Sequence, residues 1–175
     1  MKKIEIINEE LFKIGEYEFI KFTGEDGSII GVLKDSLYDM EFGKTNDFSK
    51  SEILERLTRE FLPEIESLVG AVNLLEFETD LISLDGSKKY GTMKSKVSLP
   101  TFDFYRSNRA VFEKYKLDDW WWLATPHVTS EYYSDKWSLC VSPGGFIILN
   151  YYISDIGGVR PIMRFSSSIF DSLET

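Results

Sequence analysis

WWWLAT, at residues 120–125, predicts a β-strand because it is an unbroken run of aromatic, apolar and β-forming residues. Successive side chains of a strand point to opposite faces, so Trp120 and Trp122 should share one face while Trp121 points to the other. We expect the tryptophans to belong mainly to the core. The alternative is an exposed aromatic ring that meets a partner.

The residues that follow extend this β-rich character to the end of the chain. KWSLCVS (136–142) and FIILNYY (146–152) flank Pro143-Gly144-Gly145, which is favourable turn chemistry for a hairpin. GVRPIMRF (158–165) begins next to a glycine pair and predicts a last strand. The C-terminal third therefore indicates a sheet.

A second hairpin is predicted near the N-terminus. EYEFIKFT (16–23) alternates between its two faces, GEDG (24–27) is typical of a turn, and SIIGVLK (28–34) returns as a strand. KIEIIN (3–8) predicts a further short strand.

Two helices are predicted between these β regions. Ser49 and Glu52 form a capping-box pattern ahead of a helix with an apolar stripe. Pro63 either ends this helix or opens a second short one, and Gly70 is placed to stop it. Residues 101–115 predict the other main helix, capped by the threonine that begins the range.

These elements predict an α+β fold with a mixed, mainly antiparallel sheet and two main helices. The 175 residues fit one domain, so we expect a single domain over 1–175. The N-terminal hairpin and the acidic helix fall in 1–98, and the second helix and the aromatic β region fall in 99–175.

Charge is distributed unevenly in this chain, whose formal net charge is -9. Residues 41–85 hold eleven acidic residues against four basic ones. Such a surface repels phosphate backbones, which argues against ordinary nucleic-acid binding. It favours a protein partner with a basic surface, and the partner-binding carboxylates of the predicted helix are Glu52, Glu55, Glu60 and Glu64. The alternative is a solvated face that keeps the protein soluble.

Several function classes have little support in the sequence. Cys140 is the lone cysteine, which excludes an internal disulfide, and its strand-like surroundings favour a buried structural thiol over a nucleophile paired with His127. No cofactor motif is present, and the carboxylates near residues 76–85 lack the spacing of a metal site. The N-terminus has no apolar signal region and no apolar run approaches the ~18 residues of a membrane span, so we expect a cytoplasmic protein.

The loop at 126–136 is the one place where an acid–base pair could assemble. Candidate catalytic residues for metal-independent RNA cleavage are His127, Glu131 and Lys136, with Arg160 to hold a phosphate. Ordinary loop chemistry, and a buried arginine that satisfies carbonyl groups, are the alternatives.

Other candidate partner-binding residues are aromatic or basic. Trp121, Tyr132 and Tyr133 would form a stacking or sugar-binding platform if they were exposed. Arg106 and Arg109 lie near one helix face, where either surface ion pairs or a contact with an acidic partner is expected.

Five short motifs together resemble a domain of unknown function that is widespread on phages, plasmids and integrative elements of Firmicutes. They are Leu99-Pro100-Thr101, Tyr105-Arg106, the 120–125 run, Cys140-Val141-Ser142-Pro143-Gly144-Gly145 and Gly158-Val159-Arg160-Pro161. The order of the 120–125 run and the Gly158–Pro161 motif also looks like the end of C-type-lectin-like and formylglycine-generating domains. That second resemblance implies a distantly related fold in the C-terminal half, without the catalytic cysteines of the latter family.

The first resemblance implies a mobile-element protein that antagonises host defence in the host bacterial cell. It is similar in this respect to anti-CRISPR proteins that bind Cas9 or its guide RNA. Two alternatives stay open, an enzyme that shortens guide RNA and a lectin-like module that binds a small ligand.

Overall fold

The computed structural model describes residues 4–129 and 134–171 of the chain. Within those ranges the strands are β1 (Ile4–Ile6), β2 (Leu11–Ile14), β3 (Tyr17–Thr23), β4 (Ile29–Leu33), β5 (Tyr38–Met40), β6 (Leu74–Leu75), β7 (Phe77–Asp80), β8 (Thr92–Ser95), β9 (Val97–Ser98), β10 (Trp121–Pro126), β11 (Ser138–Val141), β12 (Ile147–Ile148), β13 (Gly157–Val159) and β14 (Ile162–Phe165). The α-helices are α1 (Glu52–Arg56), α2 (Leu62–Val69), α3 (Phe102–Ser107), α4 (Arg109–Phe112) and α5 (Ser168–Asp171). Short 3₁₀ turns occupy Phe48–Lys50, Ala71–Asn73 and Glu113–Tyr115, and a π-helical turn occupies Leu57–Phe61.

The strands form two larger sheets and a separate ribbon. The first sheet has the order β1-β2-β3-β4-β14-β6, with β9 also paired to β14, and the second has the order β12-β11-β10-β13-β5. Among the described strands, β7 and β8 pair only with each other. Among the described pairs, β10 with β13 is parallel and the rest are antiparallel. The predicted α+β class with a mainly antiparallel sheet is confirmed.

The N-terminal hairpin forms where the alternation predicted it. Strands β3 and β4 pair from Phe19 opposite Leu33 to Thr23 opposite Ile29, and the Gly24 amide donates to the Ser28 carbonyl at 2.8 Å. Strand β4 is buried along its whole length and contributes to an apolar cluster on each of its faces. The first sheet therefore lies in the interior, with the acidic helix against one face and α3 and α4 against the other.

The acidic helix runs without interruption from α1 through the π-helical turn into α2. Its N-cap is Ser51, whose hydroxyl accepts the Leu54 amide at 3.0 Å, so the predicted cap at Ser49 is wrong. The Asp47 carboxylate instead accepts hydrogen bonds from the amide and the hydroxyl of Ser49, and it caps the preceding 3₁₀ turn. Pro63 opens the second helical segment, as one of its two predicted roles required.

Two physical effects account for the end of this helix and for its bulge. A proline ring clashes with the carbonyl of the preceding turn, and the wider π-helical turn directly before Pro63 gives it room. Gly70 ends α2 at a φ of 87°, with its amide on the Glu66 carbonyl, which confirms the predicted stop.

The predicted second helix begins as expected and then breaks. Thr101 caps α3 by accepting the Phe104 amide at 3.1 Å. Asn108 leaves the helical conformation, and its side chain donates to the Phe104 carbonyl at 2.9 Å. Asparagine competes in this way with the helical hydrogen bonds, so the range 101–115 forms α3, α4 and a 3₁₀ turn where one helix was predicted.

The tryptophans of β10 alternate as predicted. Trp120 and Trp122 join one apolar cluster and Trp121 joins the other, and all three rings are buried. Gly157 permits this packing because a Cβ atom there would lie 2.7 Å from the indole nitrogen of Trp122.

Each half of the sequence contributes a strand to the sheet that is formed mainly by the other half. C-terminal β14 lies between β4 and the pair β6 and β9, while N-terminal β5 forms an edge of the second sheet beside β13. No helix in the described ranges is both long and apolar enough to cross a lipid bilayer.

Candidate functional site

Arg160 is a structural residue and not the phosphate-binding group that its position near a glycine pair suggested. Its side chain is 1% exposed, and the guanidinium donates to the carbonyls of Leu33 at 3.0 Å and Lys34 at 2.7 Å. It also lies 4.8 Å from the ring centre of Trp121. Burial lowers the pKa of Arg160 to about 10, so it stays cationic at neutral pH. The catalytic prediction for Arg160 is therefore wrong.

The other candidate catalytic residues do not converge with Arg160. Half-buried His127 lies six positions beyond Trp121, roughly 20 Å along an extended strand. Lys136 donates from its ammonium group to the Lys44 carbonyl at 3.0 Å and pairs with Asp135 at 3.4 Å. Glu131 lies outside the described residues. The His127 amide donates to the Trp137 carbonyl at 3.2 Å, which brings His127 and Lys136 onto neighbouring segments, but no hydrogen bond joins their side chains in the described part of the chain.

The described residues also show no arrangement suited to nucleophilic catalysis or to metal binding. Cys140 is fully buried, and burial raises the pKa of its thiol, which disfavours the reactive thiolate. Across residues 4–129 and 134–171, no group of three His, Cys, Asp or Glu side chains is placed to hold a metal ion.

The predicted acidic face of the long helix is largely compensated by the helix's own arginines. Arg59 pairs with Glu55 at 3.3 Å and with Glu60 at 3.3 Å, and Arg56 pairs with Glu60 at 3.0 Å. The hydrogen bond from Arg56 is the main reason why the pKa of Glu60 is lowered. The expectation of a strongly negative flank is therefore wrong in this region, because helical spacing places opposite charges in contact.

The two remaining carboxylates of this predicted set differ from each other. Glu64 accepts the hydroxyl of Tyr17 at 2.9 Å. Glu52 is exposed and forms no ion pair with any described residue. Only part of the set thus remains free to meet a basic partner.

Burial and ion pairing decide which of the aromatic and basic candidates could contact a partner. Trp121 is 2% exposed, so its assignment to a partner surface is wrong. Tyr132 and Tyr133 lie outside the described residues. Arg106 pairs with Asp103 at 2.9 Å and Arg109 pairs with Glu113, which are the surface ion pairs that one of the two alternatives expected.

A groove of about 450 Å³ is a concave site that the structure adds to these candidates. Its lining residues come from β7 and the loop after it, here called the β7 wall, from α3, here called the α3 wall, and from β4 and β14, here called the floor. Its apolar lining consists of Ile30, Phe77, Ile82, Leu84, Leu99, Phe102, Phe104, Ile162 and Met163. Ligand sites are commonly apolar clefts of ~300–1,000 Å³ with a few polar groups, and this groove fits that description.

The β7 wall carries several of the groove's polar groups. Thr79 points into the body and donates to the hydroxyl of Ser98 at 3.1 Å, whereas Glu78 and Asp80 are exposed at the groove. Ile82 donates its amide to Asp80 at 3.0 Å, which turns the chain out of the strand.

Arginine side chains at the opposite wall and the floor are already held by carboxylates. Arg106 is paired with Asp103 as described above, and Arg164 lies 3.8 Å from Asp26 while its guanidinium approaches the ring of Phe77. The groove therefore has no uncompensated arginine with which to attract an acidic ligand.

A comparison with protein-family models, with curated proteins and with solved structures finds no match for this chain. The site must be interpreted from its own geometry. Sequence reasoning missed the groove because its residues come from segments near 30, 77–86, 99–106 and 162–164. The local sequence gives one weak signal, since residues 72–85 form a poor strand candidate that is followed by a turn at Asp85-Gly86.

Proposed function

We propose that this protein is a non-catalytic inhibitor that binds a host defence complex, with Cas9 and its guide RNA as the first partner to test. The groove is the observation that carries the binding function, since it combines an apolar cavity of about 450 Å³ with exposed polar groups on one wall. The choice of partner is supported by the motif resemblance to mobile-element proteins.

Long-range attraction supports a partner with a basic surface. The chain carries a formal net charge of -9, and complementary charge raises the rate at which two proteins meet. The arginines of the long helix pair with its carboxylates, so this helix is less suited to be the main contact with a basic partner. Binding through the groove is therefore the preferred mode, with Glu52 as a peripheral contact.

Cleavage of a target plasmid by the Cas9–guide complex, with and without excess purified protein, tests the proposal. Wild type should lower the cleavage rate at least about tenfold, corresponding to ~1.4 kcal/mol. Leu84→Arg should abolish much of this inhibition, because it places a cation on the groove's exposed wall against a basic partner. Val72→Arg is the matched control, since Val72 is also an exposed apolar residue and lies outside the groove lining.

Two results would reject the proposal. Unchanged cleavage at excess protein removes Cas9 as the partner, and equal inhibition by Leu84→Arg and wild type removes the groove as the site. Guide RNA recovered from the same reactions should be intact on a denaturing gel. Shortened guide RNA would instead support the ribonuclease alternative.

A further inference from the structure

We infer that the groove receives its partner as an extended peptide segment that adds a strand to the free edge of β7. The inference rests on the proposed binding function and specifies the occupant, a segment with one apolar anchor side chain and a basic neighbour. Strand addition combines main-chain hydrogen bonds with side-chain pockets, and the groove offers both.

The main-chain geometry of β7 leaves one edge open. The Leu81 amide donates to the Gly91 carbonyl at 3.0 Å, just beyond the paired residues Asp80 and Thr92. Hydrogen-bonded and non-hydrogen-bonded pairs alternate in an antiparallel ladder. Thr79 therefore bonds towards β8, while the N–H and C=O groups of Glu78 and Asp80 point away from it.

Those outward groups have no partner in the described part of the chain. Within residues 4–129 and 134–171, β7 pairs with β8 alone, and outside that ladder no hydrogen bond engages the main-chain N–H or C=O of Glu78 or Asp80. The four residues of β7 span ~13 Å, enough to hold a short extended segment.

The apolar part of the groove provides a place for an anchor side chain. Phe77 lies on the β7 wall and Phe102 and Phe104 lie on the α3 wall, each of them partly exposed. A segment on the β7 edge would direct every second side chain towards the floor, where Ile30 and Ile162 lie. An aromatic or large aliphatic residue suits this environment.

Charge selects a basic segment and disfavours a second copy of this chain. Lys94 lies opposite Glu78 in the ribbon, but Asp80 lies opposite Thr92 and has no ion pair among the described residues. Asp85 follows the lining residue Leu84 and adds a further exposed carboxylate. Pairing of two β7 edges would bring like charges together, whereas a lysine or arginine in the added segment would meet Asp80.

A defined peptide panel tests the inference on the full chain. Each nonapeptide carries a central Leu, Ile, Phe, Met or Trp among Thr and Val residues, with either two lysines or two glutamates at its ends. Binding is followed by NMR of isotope-labelled protein. Lysine-ended peptides should shift the amides of Glu78 and Asp80 and bind at least about tenfold more tightly than their glutamate-ended counterparts.

Blocking main-chain hydrogen bonds separates strand addition from simple apolar binding. Methylation of alternate peptide amides should abolish binding in one register only, because every second amide faces β7. Glu78→Pro removes one outward N–H and should weaken binding about tenfold or more, while Glu78→Ala keeps that N–H and should weaken it less.

The outcomes distinguish this inference from the proposed function. Absence of binding by the whole panel at millimolar concentration, shifts remote from β7, or equal binding by both methylation registers would overturn strand addition. The methylated peptides alone decide the matter where Glu78→Pro fails to fold. Peptide binding without Cas9 inhibition would keep the strand-addition site and reject the Cas9 partner, and Cas9 inhibition without peptide binding would do the reverse.

Discussion

The guanidinium of Arg160 joins parts of the chain that lie 127 and 126 positions apart, through the carbonyls of Leu33 and Lys34. These carbonyls lie at the end of β4, where the strand leaves the sheet, and the planar donor group of arginine can serve both. The ring of Trp121 covers the cation and makes its burial less unfavourable. One side chain thus fixes the first sheet against the second.

Arg160→Met should lower the free energy of unfolding by about 3 kcal/mol, because one buried and one partly buried carbonyl lose their donors. Urea denaturation at neutral pH measures the loss. Arg59→Met is the control, since Arg59 is exposed and its surface ion pairs are worth about 1 kcal/mol or less. Equal losses in the two variants would contradict the structural role of Arg160.

Elements of this protein are fixed at their ends by short-range hydrogen bonds. The long helix shows it most clearly, because two serines two positions apart have different roles. Ser51 caps α1, whereas exposed Ser49 donates its amide at 3.0 Å and its hydroxyl at 2.6 Å to Asp47 and does not cap α1. A capping-box pattern in the sequence does not distinguish Ser49 from Ser51. The 3₁₀ turn before the helix decides between them, because Ser49 belongs to that turn.

Ser51→Ala should lower the free energy of unfolding by about 1 kcal/mol, since the Leu54 amide loses its acceptor. Ser49→Ala should change it by less than about 0.5 kcal/mol because Ser49 is exposed and does not cap α1. Chemical denaturation of both variants checks the order. A larger effect at Ser49 would place the cap where the sequence pattern predicted it.

A tyrosine connects β3 to α2 and makes stability dependent on alkaline pH. Tyr17 donates to Glu64, and burial together with this carboxylate raises the pKa of Tyr17 to about 12. The unfolded chain releases the phenolic proton near its ordinary value of about 10. Stabilisation by the protonated tyrosine is therefore complete below pH ~10 and is lost as the pH rises towards 12.

Tyr17→Phe should consequently lose less stability than wild type between pH 9 and about 11.5, because it has no phenolic proton at this position to release. Urea midpoints over this range provide the measurement. Glu64→Gln removes the charge but keeps the tyrosine, so its slope should lie between the other two. Parallel slopes for wild type and Tyr17→Phe would refute the coupling.

The two halves of the sequence share their sheets, because each half contributes a strand to the sheet formed mainly by the other half. Both apolar clusters draw residues from each half of the sequence, and β14 cannot leave the first sheet without exposing Met163 and Phe165. The expectation of one domain over 1–175 stays a prediction, and its physical basis is this shared core.

Separate fragments 1–98 and 99–175 should each fail to show a cooperative thermal transition, since each lacks strands that complete its sheets. Circular dichroism of the fragments, with the intact chain as the control, measures this. A cooperative transition in either fragment alone would show two independent units.

The candidate site could be anticipated only in part. The pairing of Glu55 with Arg59 follows from helical spacing and was open to sequence reasoning. The free edge of β7 was not, because a strand pattern in the sequence does not tell on which side the strand finds its partner. Burial of Trp121 and Arg160 likewise depends on elements far away in the chain.

The sequence by itself determined the α+β class, the N-terminal hairpin, the helix stop at Gly70 and the alternation of the three tryptophans. Each of these depends on side-chain period or on the local conformational preference of one residue. Tertiary structure alone decided that Trp121 and Arg160 are buried and that distant segments enclose an apolar groove beside the free edge of β7. Contacts between residues distant in sequence leave no periodic signal, so they emerge only when the sheets and helices pack together.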